Sequence, residues 1–292
     1  MSTSPASTTA ATMPRPATTV VVLRPSTARF DVCLVRRYDE VAFMGGAHVF
    51  PGGRLDEGDR LAEPSPLCDG LEHAARQIPD LSPADGVAHH VGAIRELFEE
   101  AGLLLARHVA GTAPSAAELA AERRALMAGS TSIGPIATAL DVRLSCQSLI
   151  YFANWRTPES EEKRYDVRFF MALAPEGPSA THDGDDATES LWIDPTEATT
   201  RCRRGELLLA PPTWTTLRWL DRFATVGEAM AWARTQKPTR VQPRLFDVDG
   251  GRMLALPGDE VYPPIEGFDT PRETRFRFAE GRWRPEGTAT LG

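Results

Sequence analysis

The chain has 292 residues, 42% of them hydrophobic and 25% charged, enough apolar material for a substantial core in one large domain with additions. Its net charge of −8 argues against a general nucleic-acid binder, which needs a basic surface to displace counterions. Four scattered cysteines with no CxxC pair argue against a zinc site or a disulfide framework and fit a reducing cytoplasm. No apolar run approaches the length of a membrane span.

Residues 1–17 are rich in Ser, Thr, Ala and Pro, with no apolar signal core, and are expected to form a disordered tail. Thr19 to Leu23 and Phe30 to Val35 read as two strands around a Pro-Ser-Thr turn. A short strand, His48 to Phe50, runs into Pro51-Gly52-Gly53. Residues of about 60–90 are rich in Pro, Asp, Ala and His and read as an insertion with one short helix near Leu71 to Gln77. His89 and His90 are expected to be polar loop residues within it. A strong helix is expected from about Val91 to Ala101, stopped by Gly102. A second helix spans Ala116 to Ala128, and two long strands follow, Gln147 to Trp155 and Arg164 to Leu173. Tyr165, Phe169 and Phe170 are expected in the core. The acidic loop His182 to Glu189 leads into a strand, Leu191 to Ile193, and a helix from Pro195. Helices are expected around Thr213 to Phe223 and Val226 to Arg234. Arg240 to Val248 and Arg252 to Leu256 form a hairpin about Asp249-Gly250-Gly251. That turn superficially suggests a calcium loop but lacks the later ligands one needs. Strands, one helix, more strands and a helix make a mixed α/β domain.

The chemistry is concentrated in Arg95-Glu96-Leu97-Phe98-Glu99-Glu100-Ala101-Gly102-Leu103. At about 100° per residue, Glu96, Glu99 and Glu100 share one helix face, while Val91, Ile94, Leu97, Phe98 and Ala101 take the other. Three crowded carboxylates repel one another by a few tenths of a kcal/mol per like pair even on an exposed helix. Arg95 can pair with Glu99 but does not neutralise three acids, whereas hard oxygen-seeking cations such as Mg²⁺ or Mn²⁺ would. The bland alternative is a solvated acidic face. Upstream, the glycines of Pro51-Gly52-Gly53-Arg54-Leu55-Asp56-Glu57-Gly58-Asp59 permit close approach of a ligand to the main chain.

Together the two segments resemble the Nudix box, G-x5-E-x7-R-E-U-x-E-E-x-G-U, where U is a bulky aliphatic residue. Gly53 fits the opening glycine, Asp59 stands where the first glutamate belongs, and Arg95 to Leu103 fill the second half without a gap. Between Asp59 and Arg95 lie 35 residues instead of seven, so the box is split. That split, FMGGAHVFPGGRLD upstream, and the NWRTP and RYDVRFFMA strand pair are similar to the coenzyme A diphosphatase branch of the family.

The resemblance implies a Nudix-type α/β/α sandwich with a mixed sheet over residues 18–225, carrying the insertion inside its motif. Residues 226–292 are then a C-terminal extension of helices and hairpin. The tail helices and terminal hairpin, Thr213 to Gly292, cover the core, make a homodimer contact or shape the substrate pocket. The implied activity is hydrolysis of a diphosphate linkage in a small nucleotide-type substrate, coenzyme A or an acyl-coenzyme A, with no nucleic-acid or membrane partner. Glu99 and Glu100 would bind Mg²⁺ or Mn²⁺, with Gly53 contributing its carbonyl. Glu96 would be a further ligand or the base, and Arg95 would orient the carboxylates. Glu189 is the rival base. Asp59 would bind metal through water or stabilise its loop. Substrate contacts are sought at Arg36, Arg37, Arg164 and Arg168, each also readable as surface or strand-end pairing. Two other readings remain: a Nudix hydrolase acting on ADP-ribose, a dinucleotide or a nucleoside triphosphate, and a non-catalytic nucleotide-binding Nudix domain.

Overall fold

A computed structural model describes residues 13–38, 45–61, 66–109, 113–175, 190–248 and 251–286. The strand β1, Arg15–Pro25, is apolar on both faces because helices cover both. It pairs with β2, Phe30–Arg36, across the turn, and also with the short β4, Gly52–Arg54. Between them lies β3, His48–Val49, which pairs with β2. The same central sheet takes in β8, Ile150–Arg156, β9, Tyr165–Leu173, β10, Ser190–Ile193, and β11, Arg240–Val241, in the order β10-β2-β1-β9-β8-β11. It is mixed: β1 runs parallel to β9, and β2 antiparallel to β1.

Alternation along β1 divides the core in two. Val20 and Val22 point to one cluster, with Val91, Ile94, Leu97 and Phe98 of the helix α2, Pro83–Ala101. Val21 and Leu23 point to the other, with Trp214, Leu217 and Leu220 of α6, Pro211–Leu220. Ala229, Met230 and Ala233 of α7, Val226–Thr235, join that second cluster, as does Ala198 of α5, Pro195–Arg203. The sheet is thus sandwiched between helices.

The inserted segment contributes β5, Cys68–Asp69, and α1, Leu71–Gln77. Further on, β6, Ala106–His108, α3, Ala116–Met127, α4, Ile133–Ala139, and β7, Val142–Ser145, follow the motif helix. The strands β5, β7 and β6 form a small separate sheet that buries Cys68 and Leu144 against the α2 side. At the C-terminal end, β12, Arg244–Val248, and β13, Gly251–Ala255, make the expected hairpin, with Asp249 and Gly250 outside the described residues. It widens into four strands with β14, Arg275–Ala279, and β15, Arg282–Glu286. Leu254, Leu256, Phe276 and Trp283 from this region pack in the same cluster as Val21 and Leu23.

Three expectations need correction. The strand at the start reaches back to Arg15, because Arg15 to Ala17 pair in parallel with Tyr165 to Val167, so the tail does not extend through residue 17. The motif helix begins at Pro83, two turns before Val91; Ser82 caps it by accepting from Asp85 N–H at 3.2 Å, and proline suits the first turn. His89 and His90 therefore lie inside α2, both buried, not in a polar loop. Burial pushes His89 down to about 4 and His90 to about 3, so both rings are neutral at pH 7. Among the described residues, no helix is long and apolar enough to cross a membrane, and the four cysteines are free thiols.

Candidate active site

Two segments far apart in the chain meet at the C-terminal half of α2. Thr18 and Thr19 of β1 pair with Gly53 and Gly52, which fixes the glycine turn against the sheet. From there Gly52 N–H donates to Glu100 Oε2 at 2.8 Å. A Cβ on Gly53 would stand 2.5 Å from Glu96 Oε1, so any other residue here would displace the Glu96 carboxylate from its present place. Gly92 plays the complementary part on the helix, where a Cβ would strike Leu55 at 2.5 Å and Asp59 at 2.8 Å.

Arg95 is the hub. Only 4% exposed, its guanidinium donates from Nε and Nη2 to Asp59 at 2.8 and 3.0 Å, and from Nη1 to Glu96 and Glu99, each at 2.8 Å. Nη2 also donates to the Arg54 carbonyl at 2.8 Å. One planar fork thus ties both halves of the split motif together. Asp59 is fully buried and accepts from Asp56 N–H at 2.9 Å. It supports Arg95 and the loop, so of the two roles left open for it, the structural one is what the geometry shows. Burial alone would depress Arg95, but the bonds to Asp59 and the charges of Glu96, Asp59 and Glu99 more than offset that and hold it cationic.

The carboxylates pay an electrostatic cost. Burial pushes Glu96 up to about 7, against the pull of Arg95 and with added repulsion from Glu99. Burial also drives Glu100 up to about 8, countered by Gly52 N–H and Arg37 and reinforced by Glu96 and Glu99. Glu99 is raised for the same first reason, with Arg95 opposing. Among the described residues no three acidic, cysteine or histidine side chains are arranged to hold one ion as they stand, since Glu96 and Glu99 turn to Arg95 and Glu100 to Gly52. The donor set nevertheless fits a hard divalent cation: three carboxylates and a glycine main chain, in a buried place where added positive charge would relieve their repulsion.

The other expected residues divide. Arg37 leaves β2 beside Glu100, whose charge it favours, and its buried Nε has no hydrogen-bond partner among the described residues. Arg36 is exposed. Arg168 does not face the cluster freely: it is 2% exposed and bound to Asp166 and Asp80, each at 2.8 Å. Arg164 is likewise buried, donating to the Thr157 carbonyl and to Gln242 at 3.3 Å. Both are buried and paired internally in this structure. Glu189 lies outside the described residues; its neighbour Ser190 pairs with Val35, one residue before Arg36. Arg123 of α3 was not anticipated. Its Nε donates to the Glu99 carbonyl at 3.0 Å and its Nη2 to the Glu100 carbonyl at 3.4 Å, closing the end of α2. Nothing in its own neighbourhood of sequence signals that contact.

Comparison with known proteins agrees with this geometry. The family model described as the NUDT19 Nudix domain matches residues 62–220, beginning after the glycine turn. The acyl-coenzyme A diphosphatase NUDT19 of Homo sapiens is 30% identical over 314 residues, covering 92% of this chain and 83% of the human protein. Its Gallus gallus counterpart is 30% identical over 277 residues, covering 80% and 73%. Among solved structures, a NUDIX hydrolase from Alicyclobacillus acidocaldarius superposes with a TM-score of 0.60 at 26% identity, covering 76% of this chain and 97% of that one. The chain belongs to the NUDT19 Nudix family and is a Nudix hydrolase.

Proposed function

We propose that this chain hydrolyses the diphosphate linkage of coenzyme A or an acyl-coenzyme A, using Mg²⁺ or Mn²⁺. The observation that carries the reading is the meeting of the Gly52-Gly53 turn with Glu96 and Glu100. The choice of substrate rests on the relatives, which are named acyl-coenzyme A diphosphatases. Glu96, Glu99, Glu100 and the Gly53 carbonyl would hold the cation. Bound there, it would offset the charge of the phosphate oxygens and favour hydroxide over water.

The protein's own residues supply the rest. Arg95 keeps the three carboxylates oriented. Arg37, which already favours the charge of Glu100, and Arg36 beside it at the exposed strand end would contact a phosphate oxygen. Water oxygen attacks one phosphorus, its proton passes to a carboxylate, and the bridging P–O bond breaks to leave two phosphate monoesters. Glu96 and Glu189 are the rival bases, Glu96 taking that role only where Glu99, Glu100 and Gly53 hold the cation without it. No covalent intermediate is needed. The substrate is small, nucleic acid is not a partner, and a reducing cytoplasm suits the free thiols.

A mass-resolved product assay with Mg²⁺ or Mn²⁺ against coenzyme A, acyl-coenzyme A, NADH, ADP-ribose and nucleoside triphosphates tests this. We expect the coenzyme A compounds to yield 3′,5′-ADP and the matching phosphopantetheine. Glu99→Gln and Glu100→Gln should fold normally and lose most turnover. Cleavage confined to the other substrates, or wild-type turnover in both variants at saturating Mg²⁺, would overturn it.

A further inference from the structure

At the opposite end of β1 from the carboxylates, Pro25 borders a cavity of about 1370 Å³. Gly52 pairs with Thr19, and from Thr19 to Pro25 the strand advances roughly 20 Å at ~3.3 Å per residue. Neither Arg37 nor any of the three motif glutamates lines this cavity. It opens between α1, the start of β8, the end of β9 and α7 with the segment after it.

Two features give it chemical character. Ile150, Leu173, Val226 and Met230 supply apolar walls, and Leu173 is left 48% exposed, which is unusual for a leucine on a central strand. Arg234 and Lys237, one of only two lysines in the chain, also line it, and neither side chain is bonded to or ion-paired with a described residue. No aspartate or glutamate is among the described lining residues, in a chain whose net charge is −8. A cavity that combines apolar residues, uncharged polar ones such as Gln77 and Ser148, and two cations with no acidic neighbour in the described lining complements an amphiphile with an anionic end.

We propose that this cavity binds a fatty carboxylate, its aliphatic chain against Ile150, Leu173, Val226 and Met230 and its carboxylate facing Arg234 and Lys237. An acyl chain could also arrive as the tail of an acyl-coenzyme A, but a thioester carries no charge at that end and would not need the two cations. The site is separate from the diphosphate chemistry and does not depend on it.

Isothermal titration of the full chain with dodecanoate, below its micelle concentration, tests the proposal. Saturable binding of one molecule per chain is expected, weaker for octanoate. The double variant R234E/K237E keeps the walls and should weaken dodecanoate binding at least tenfold while leaving diphosphate hydrolysis unchanged. M230W, with folding checked by thermal melt, should block the chain and weaken binding likewise. Glu99→Gln should bind dodecanoate as the wild type does, which separates this site from catalysis. Absence of saturable binding in the wild type, or binding unaltered in R234E/K237E, would overturn the proposal. So would a loss of chain-length preference toward acyl-coenzyme A in M230W when the wild type binds no dodecanoate, since that would assign the cavity to the substrate's own tail.

Discussion

Arg95 shares one guanidinium among Asp59, Glu96, Glu99 and the Arg54 carbonyl, so its hydrogen bonds are committed while two carboxyl groups remain strongly raised. The consequence for stability follows from proton linkage. Without a cation, folded Glu96 and Glu100 keep protons that the unfolded chain loses near 4.5, so stability should fall as pH rises from about 4.5 through 7 to 8. A divalent cation favours the ionised forms and should reverse that loss. Thermal melts are expected to show a Mg²⁺-induced rise in Tm that is larger at pH 8.5 than at pH 5.5, with proton release on binding. Equal shifts at both pH values would contradict this. At this scale the helical period was enough to put three glutamates on one face, and the glycine pair announced close approach. The depth of Arg95 and Asp59 was not legible, because burial of an ion pair depends on which distant segment covers it.

The helix α2 is held at both ends by different means. Ser82 and Pro83 begin it, while Arg123 closes the last turn by binding the carbonyls of Glu99 and Glu100, the residues whose side chains face the site. Each such hydrogen bond contributes about 0.5–1.5 kcal/mol net, and here the loss would fall on the turn that aims the carboxylates. Arg123→Ala is expected to lower Tm and turnover, the latter about tenfold if some 1.4 kcal/mol of orientation is lost. Apparent Mg²⁺ affinity should weaken as well, with partial recovery in Arg123→Lys. An unchanged Mg²⁺ affinity measured well below Tm would leave Arg123 with a purely structural role. The start of α2 was open to reading in Ser82-Pro83-Ala84-Asp85, a capping pattern, but the polar His89-His90 pair broke the apolar rhythm. Those rings are tolerated because they are neutral, with His90 Nδ1 donating to the Gly86 carbonyl at 2.8 Å and its ring against Phe170 at 4.6 Å.

Across the whole molecule, the C-terminal sheet does not stand apart. Phe276 is 1% exposed and belongs to the cluster that holds Leu23, Trp214 and Leu217, alongside Trp283 and Leu254. Phe276→Ala should therefore cost about 3–5 kcal/mol. Because the cluster is shared, denaturation followed by tryptophan fluorescence and by far-UV circular dichroism should give one coincident transition at lower denaturant. Two separated transitions would show the C-terminal region unfolding independently. The mixed α/β class and most helices could be read from local pattern. The four-stranded end sheet could not, since β14 and β15 are short, arginine-rich strands whose burial comes only from the partners they meet.

The closeness of Gly53 to Glu96 also bears on how such a protein can change over evolutionary time. Hydrolysis needs the two anchor points and is indifferent to the path between them. Lengthening a flexible connection costs only about 0.6 kcal/mol per doubling, so the intervening segment can be rebuilt or repurposed while the chemistry stays put. The fixed part is the contact at the two ends: a single methyl group on that glycine would displace the Glu96 carboxylate from its place beside the turn.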